Sequence, residues 1–307
     1  MLKRLGGCLF LLLCTVAAIA LTSWPEQPAE QAPVMGIVCT ASEDDWKDEQ
    51  YRLLEAEAQA HGFDRMVLRT ERTQQAQIDA IRALIVYRAD VIVFSPMVQS
   101  GWENVLHEAK QAGIPVLAVD KSLAQTDGLA GYVGFGYRKA ARQAAAYLAT
   151  QGHTVAAELY GTLNASNAQE IARGFREGFE DIRTTLKYSL CGDFLRSRGY
   201  EIMEIFEQEY TGITLVLCQN DAMALGAIDY LNAQGLQPGV DVKLCVFGGG
   251  DEVQACREKG QIDLVAQCDN EELAHETAHA ALHLLDDPTT SVQREIPIAL
   301  QTGEAAP

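Results

Sequence analysis

Apolar runs in this 307-residue chain repeatedly end on side chains that exchange hydrogen bonds with small polar molecules. "IPVLAVD" delivers Asp120 and Lys121, "ITLVLCQND" delivers Asn220 and Asp221, and "LVAQCDN" delivers Gln267. A charge at the end of a buried strand is costly to desolvate unless a partner meets it. Asp, Asn, Gln and Lys together suit the adjacent hydroxyls of a sugar. Two aromatics, Trp46 and Phe194, stand at comparable places. Their apolar faces fit the C–H patches of a ring, and core packing is the alternative for both. Asp221 also opens a predicted helix, where a carboxylate serves equally well as an N-cap.

Other motifs offer different chemistry. "HETAH" (His275–His279) has the H-E-x-x-H spacing that puts two imidazoles on one helix face, with His283 a turn further on. The segment after it lacks the glycine and third-ligand spacing of the metzincin form, so an exposed histidine stripe is the expectation and no metal or cofactor is assigned. "GGGDE" (Gly248–Glu252) reads as a strand-to-helix turn rather than a phosphate loop. Tyr132, Phe135 and Tyr137 read as packing residues. Of the eight cysteines, Cys39, Cys218, Cys245 and Cys268 sit in or beside apolar runs, as small buried thiols do. No CxxC pair or zinc spacing occurs, and a disulfide of unspecified pairing is the other reading.

The elements that carry these residues alternate. Continuous apolar runs such as "VMGIVCTA", "DVIVFSP" and "VKLCVFGG" alternate with helical patterns, as strands do when helices cover both faces of a parallel sheet. Two doubly wound α/β lobes account for the length better than one oversized sheet. The break is placed in the glycine-rich "GLAGYVGFGY". Ligands of open parallel sheets bind beyond the carboxyl ends of the strands. Two facing sheets therefore aim both sets of ends at one cleft.

Composition limits the function. A formal net charge of −18 excludes a nucleic-acid partner, whose phosphates call for a basic surface. "MLKRLGGCLFLLLCTVAAIALTSW" has a basic start, a short apolar run and small residues before the polar "PEQPAEQAP". That is the plan of an export signal, so an exported, periplasmic or cell-surface chain is expected, with membrane association only through this segment.

Longer stretches carry a resemblance. "SPMVQSGWENVLHEAKQAGIPVLAVDKS", "ELYGTLNAS", "CGDFLRSRGYEIME", "CQNDAMALGAIDYLNAQGLQPG" and "ACREKGQIDLVAQCDN" resemble the type I periplasmic sugar-binding proteins of ABC importers, above all the galactofuranose-binding group. The resemblance implies two lobes joined by a three-crossing hinge, with a ligand trapped by closure. Residues 1–33 would be a signal peptide or N-terminal anchor plus linker, 34–133 and 268–290 the first lobe, and 134–267 and 291–307 the second. It implies ligand contacts from Trp46, Lys47, Asp120, Lys121, Phe194, Asn220 and Gln267, and no catalysis. Two departures stand out: Ile171 where relatives place an Arg, and Gly248 where they place an Asp. Lysines at 47 and 121 do not reproduce the planar fork of Arg, so an altered ligand is expected. The partners implied are a small carbohydrate and a membrane ABC permease. A sensor kinase or receptor is the alternative partner, and a metallohydrolase is the reading that "HETAH" alone suggests.

Overall fold

The computed structural model describes residues 31–42, 44–152, 155–180, 184–209 and 212–303, and the apolar N-terminal segment lies outside them. In chain order the first half comprises β1 (Val34–Thr40), α1 (Asp45–Ala60), β2 (Asp64–Thr70), α2 (Gln74–Val86), β3 (Val91–Phe94), α3 (Glu103–Gln111), β4 (Val116–Asp120) and β5 (Gly131–Phe135). Then come α4 (Tyr137–Thr150), β6 (Val155–Tyr160), α5 (Ser166–Phe179), β7 (Thr185–Cys191), α6 (Arg196–Glu209), β8 (Leu215–Cys218) and α7 (Asp221–Ala233). The chain closes with β9 (Lys243–Gly248), α8 (Asp251–Glu258), β10 (Leu264–Gln267), α9 (Asn270–Asp286), β11 (Val292–Ile296) and β12 (Ala299–Thr302). Among the described residues no helix is long and apolar enough to cross a membrane.

Among the described residues the strands form two six-stranded sheets. The first runs β11-β5-β4-β3-β1-β2 and is parallel throughout. The second runs β12-β10-β9-β8-β6-β7, parallel except for β12 on its edge. Every residue of β3 and of β8 is buried, which is why these runs are apolar without alternation. Tyr51 and Leu54 of α1 pack with Leu273 and Ala281 of α9 on one face of the first sheet. Ile81 and Leu84 of α2 and Leu106 of α3 cover the other. In the second lobe α4 and α5 take one face, with α6, α7 and α8 on the other. This is the doubly wound α/β architecture that the alternation of elements predicts.

The lobe boundaries differ from those expected. The glycine-rich break contains β5, a strand of the first sheet, so the first crossing follows Phe135 rather than residue 133. Its glycines disguise it. A Cβ on Gly134 would stand 2.0 Å from the Tyr132 hydroxyl, so the strand keeps a residue that strand patterns normally exclude. The segment from residue 291, expected wholly in the second lobe, carries two strands. β11 stays with the first sheet beside β5, Pro297 follows it, and only β12 belongs to the second lobe. The return from 291 is thereby corrected to one that begins after Ile296. Crossings at 135–137, 267–270 and 296–299 join the lobes.

The thiols are also settled. Cys39, Cys191, Cys218, Cys245, Cys256 and Cys268 are all free, so no disulfide joins the described cysteines.

Candidate functional site

The carboxyl ends of both sheets open onto one cavity of about 710 Å³ of non-atom space, its solvent-open mouth included. Trp46, Lys47, Asp120 and Lys121 line it from the first lobe, and Phe194 and Asn220 from the second. Six of the seven residues singled out in the sequence thus share one wall-to-wall site.

Gln267 is not in that lining. Successive strand residues point to opposite faces, so Cys268 and Ala266 turn toward one core and Gln267 follows Val265 toward the other. There its amide oxygen accepts from Gln254 Nε2 on α8. Of the seven side chains expected to converge, Gln267 therefore stands apart, and Trp46, Lys47, Asp120, Lys121, Phe194 and Asn220 share the cavity.

Backbone geometry delivers several of these groups. Asp120, Asp193 and Phe194 adopt φ of 68°, 53° and 59°, a region that non-glycine residues enter at a cost. At Asp120 this turns the chain at the end of β4, and Tyr132 Oη holds its carbonyl at 3.2 Å. Phe194 lies in the loop after β7, where Gly161 across from it leaves room for its ring.

Asp120 is only 2% exposed and is answered from two sides. Lys47 Nζ donates to its Oδ2 at 3.0 Å and Tyr137 Oη donates to Oδ1. Burial pushes the Asp120 carboxyl up, but Lys47, Lys121 and the Tyr137 hydroxyl outweigh it and hold its pKa below the usual value. Burial likewise pulls Lys47 down, and Asp120, helped by Tyr51 and Asp44, more than restores it. The pair is therefore ionised. Lys47 spends its remaining donors on Ser95 Oγ at 3.0 Å and on Gln50 Oε1, so its ammonium positions Asp120 from within the first lobe. Tyr137, expected as packing, both packs against Phe135 and lines the cavity.

Lys121 is different. Burial, followed by the nearby Lys47 charge, brings its pKa down to about 8, and its Nζ lies 5.3 Å from the centre of the Phe194 ring across the cleft.

Residues that the sequence reading passed over complete the site. Asp44 caps α1 by accepting from Trp46 N, and Asn220 caps α7 by accepting from Met223 N. The two caps meet, with Asn220 Nδ2 donating to Asp44 Oδ2 at 2.7 Å. An Asp one residue before an amphipathic helix was the available signal. Asp221, left open between cap and ligand, is neither the cap nor part of the cavity lining. It accepts from Gly249 N at 2.9 Å and Gly250 N at 2.7 Å, and burial and the Asp44 charge raise its pKa. Gln219 stiffens the second-lobe wall through Glu158 Oε1 at 2.8 Å and Gly161 N at 2.8 Å.

The lobes stand closed on each other. Arg72 Nη2 donates to Asp193 O at 2.6 Å, Gln99 N to Asn164 O at 2.8 Å, and Ser122 N to Ser166 Oγ at 2.8 Å. Arg72 also lines the cavity, so a guanidinium is present, supplied from a loop that the sequence reading did not weigh. The two departures have structural homes. Ile171 is fully buried in the core. Gly248 lines the cavity at φ 136°, and a Cβ there would stand 2.2 Å from Asp221 Oδ1. Asp221 occupies the space that a residue-248 side chain would need.

Comparison with known proteins agrees with this architecture. Residues 35–288 match the model of the periplasmic binding protein domain. The chain is 32% identical to the galactofuranose-binding protein YtfQ of Escherichia coli (strain K12), over 82% of this chain and 81% of that protein. The crystal structure of a galactofuranose-binding protein superposes with a TM-score of 0.83 at 26% identity, covering 88% of this chain and 95% of that one. So does the periplasmic binding component of the arabinose ABC transporter of Shewanella sp. ANA-3, bound to α- and β-L-arabinofuranose, at 0.83 and 27%, covering 88% and 92%. Two facing parallel-sheet lobes closed over a polar, aromatic-walled cavity, together with a match over most of its length, make this chain a member of the periplasmic binding protein domain family, a binding protein and not an enzyme.

Proposed function

We propose that the chain is an extracytoplasmic solute-binding protein that captures a small carbohydrate between its lobes for an ABC-type importer. The observation that carries this reading is the cavity lining, with Trp46 and Asp120 on one lobe and Phe194 and Asn220 on the other. The aromatics offer apolar faces, Asp120 offers carboxylate lone pairs, and Lys121 and Arg72 offer donors, as a pocket for an amphipathic ring requires. Binding proceeds by hinge closure with no bond made or broken, and Asn220–Asp44 and Arg72–Asp193 contacts hold the closed form. Relatives named for galactofuranose and arabinofuranose support a compact sugar as the ligand class.

The same proposal includes export and delivery to a membrane permease. It is supported by the basic-then-apolar start of the sequence and by the arabinose-transporter relative. The buried Ile171 and the blocked Gly248 support a ligand different from galactofuranose. A thermal-shift screen over pentoses, hexoses, deoxysugars and inositols tests the reading, because a ligand selective for the folded state raises Tm. A shift for one compact carbohydrate is expected. No shift with any member at millimolar concentration contradicts the proposal, and cell fractionation that retains the chain in the cytoplasm contradicts export.

A further inference from the structure

The "HETAH" segment gains a third histidine in three dimensions. His275 and His279 are four residues apart and share one face of α9. That face meets the end of α1, where His61 is the C-cap residue. Ring centroids are 4.4 Å apart for His275–His279, 4.8 Å for His61–His279 and 5.6 Å for His61–His275. One ligand atom from each of the three lies within 4.8 Å of the others. A tetrahedral zinc ion with Zn–N bonds of about 2.0–2.1 Å spaces its nitrogens by roughly 3.4 Å. Small rotations of partly exposed rings close that gap.

A supporting carboxylate is in place. Glu57 Oε2 lies 3.4 Å from His61 Nδ1 and 3.4 Å from His275 Nδ1. His61 Nδ1 is also 3.0 Å from Glu57 O. A ring that donates Nδ1–H to such acceptors presents its Nε2 lone pair outward, the arrangement that orients metal-binding imidazoles.

We propose that His61, His275 and His279, supported by Glu57, form a binding site for a divalent transition metal of the zinc class on the first lobe. Three imidazoles suit Zn²⁺, Ni²⁺ or Cu²⁺ rather than Mg²⁺ or Ca²⁺. The site is not hydrolytic. Glu276, the glutamate of the H-E-x-x-H spacing, is held by Arg294 Nε of β11 at 2.8 Å and is not available as a general base. The site instead ties α1 to α9. The same two helices are joined near the cavity by Asn270 Nδ2 to Trp46 O at 2.9 Å and by Gln50 Nε2 to Asn270 Oδ1 at 3.0 Å. A metal at the histidines fixes the helix pair at a second point and stiffens the lobe that carries Trp46 and Lys47.

Calorimetric titration of the untagged chain with ZnCl₂, with chelator competition, tests this. The expected result is one zinc per chain bound more tightly than about 10 µM. His61→Asn and His279→Asn each weaken it roughly tenfold or more, while His283→Asn and His107→Asn leave it unchanged. Circular dichroism confirms that each variant is folded, and zinc raises Tm for the parent chain but not for the first two variants. Weaker binding, equal binding in His61→Asn and His279→Asn, or loss in His283→Asn overturns the proposal. None of these outcomes bears on carbohydrate binding.

Discussion

Asn220 and Asp44 each cap a helix, and the two caps hydrogen-bond across the cleft, Nδ2 to Oδ2 at 2.7 Å. Each cap satisfies an orphan backbone donor of its own helix and at the same time contacts the opposite lobe. Helix formation and closure therefore share two side chains. Asn220→Ala removes a cap worth about 1 kcal/mol and a hydrogen bond to a carboxylate worth about 1.5–3 kcal/mol in the closed state. Ligand affinity is expected to fall about tenfold or more by calorimetry. Asn220→Asp keeps the cap but sets a carboxylate against Asp44, so it loses affinity with a smaller loss in Tm than Asn220→Ala. Equal affinity in all three proteins contradicts the latch.

The aromatic walls make a separate prediction. Trp46 lines the cavity with its Nε1 donating to Cys268 O at 3.3 Å, whereas Trp102 is 2% exposed and donates to Val98 O. A ligand-induced change in tryptophan fluorescence is expected to vanish in Trp46→Phe and persist in Trp102→Phe. Phe194→Ala should weaken binding roughly tenfold, from lost ring contact and lost support for Lys121. A fluorescence response that survives Trp46→Phe unchanged places the ligand elsewhere.

Lys121 predicts a pH dependence. Burial, then the Lys47 charge, lowers its pKa from 10.5 to about 8 in the folded protein. Between those values the unfolded chain binds more protons than the native one, so stability rises with pH in that window. Below about 8 both states are protonated and the cost of the buried ammonium is fully present. Lys121→Met removes this contribution. The difference in unfolding free energy between the parent chain and the variant should change by on the order of 1 kcal/mol per pH unit from pH 8 to 10. Urea midpoints at several pH values measure it, and a flat difference contradicts a desolvated Lys121.

Gly248 predicts that the expected family residue cannot be restored alone. Its φ of 136° and the 2.2 Å approach of Asp221 Oδ1 leave no place for a side chain. Gly248→Asp should lower stability by about 2–4 kcal/mol, while Gly248→Asp with Asp221→Ala recovers part of the loss. Thermal unfolding of both variants decides it. A Gly248→Asp protein as stable as the parent contradicts the account of this departure.

Legibility in the sequence followed burial. β3, β4 and β8 are buried on both faces and stand out as unbroken apolar runs. β5 carries Gly131 and Gly134, and β11 is an exposed edge reading "VQREI", so neither has the apolar signature. The site was legible where a strand end itself presents the group, as at Asp120 and Asn220. It was not legible where side-chain parity decides, as at Gln267, or where a loop reaches in, as at Arg72. His61 and His279 are brought together only by the packing of α1 on α9.

Calorimetry against a carbohydrate panel, with the parent chain beside Trp46→Ala and Phe194→Ala, tests the central claim most directly. The account predicts one site per chain for a compact sugar, weakened about tenfold or more by each substitution, with galactofuranose not the tight ligand. Binding that neither substitution alters, or no carbohydrate binding at all, contradicts capture between these two walls.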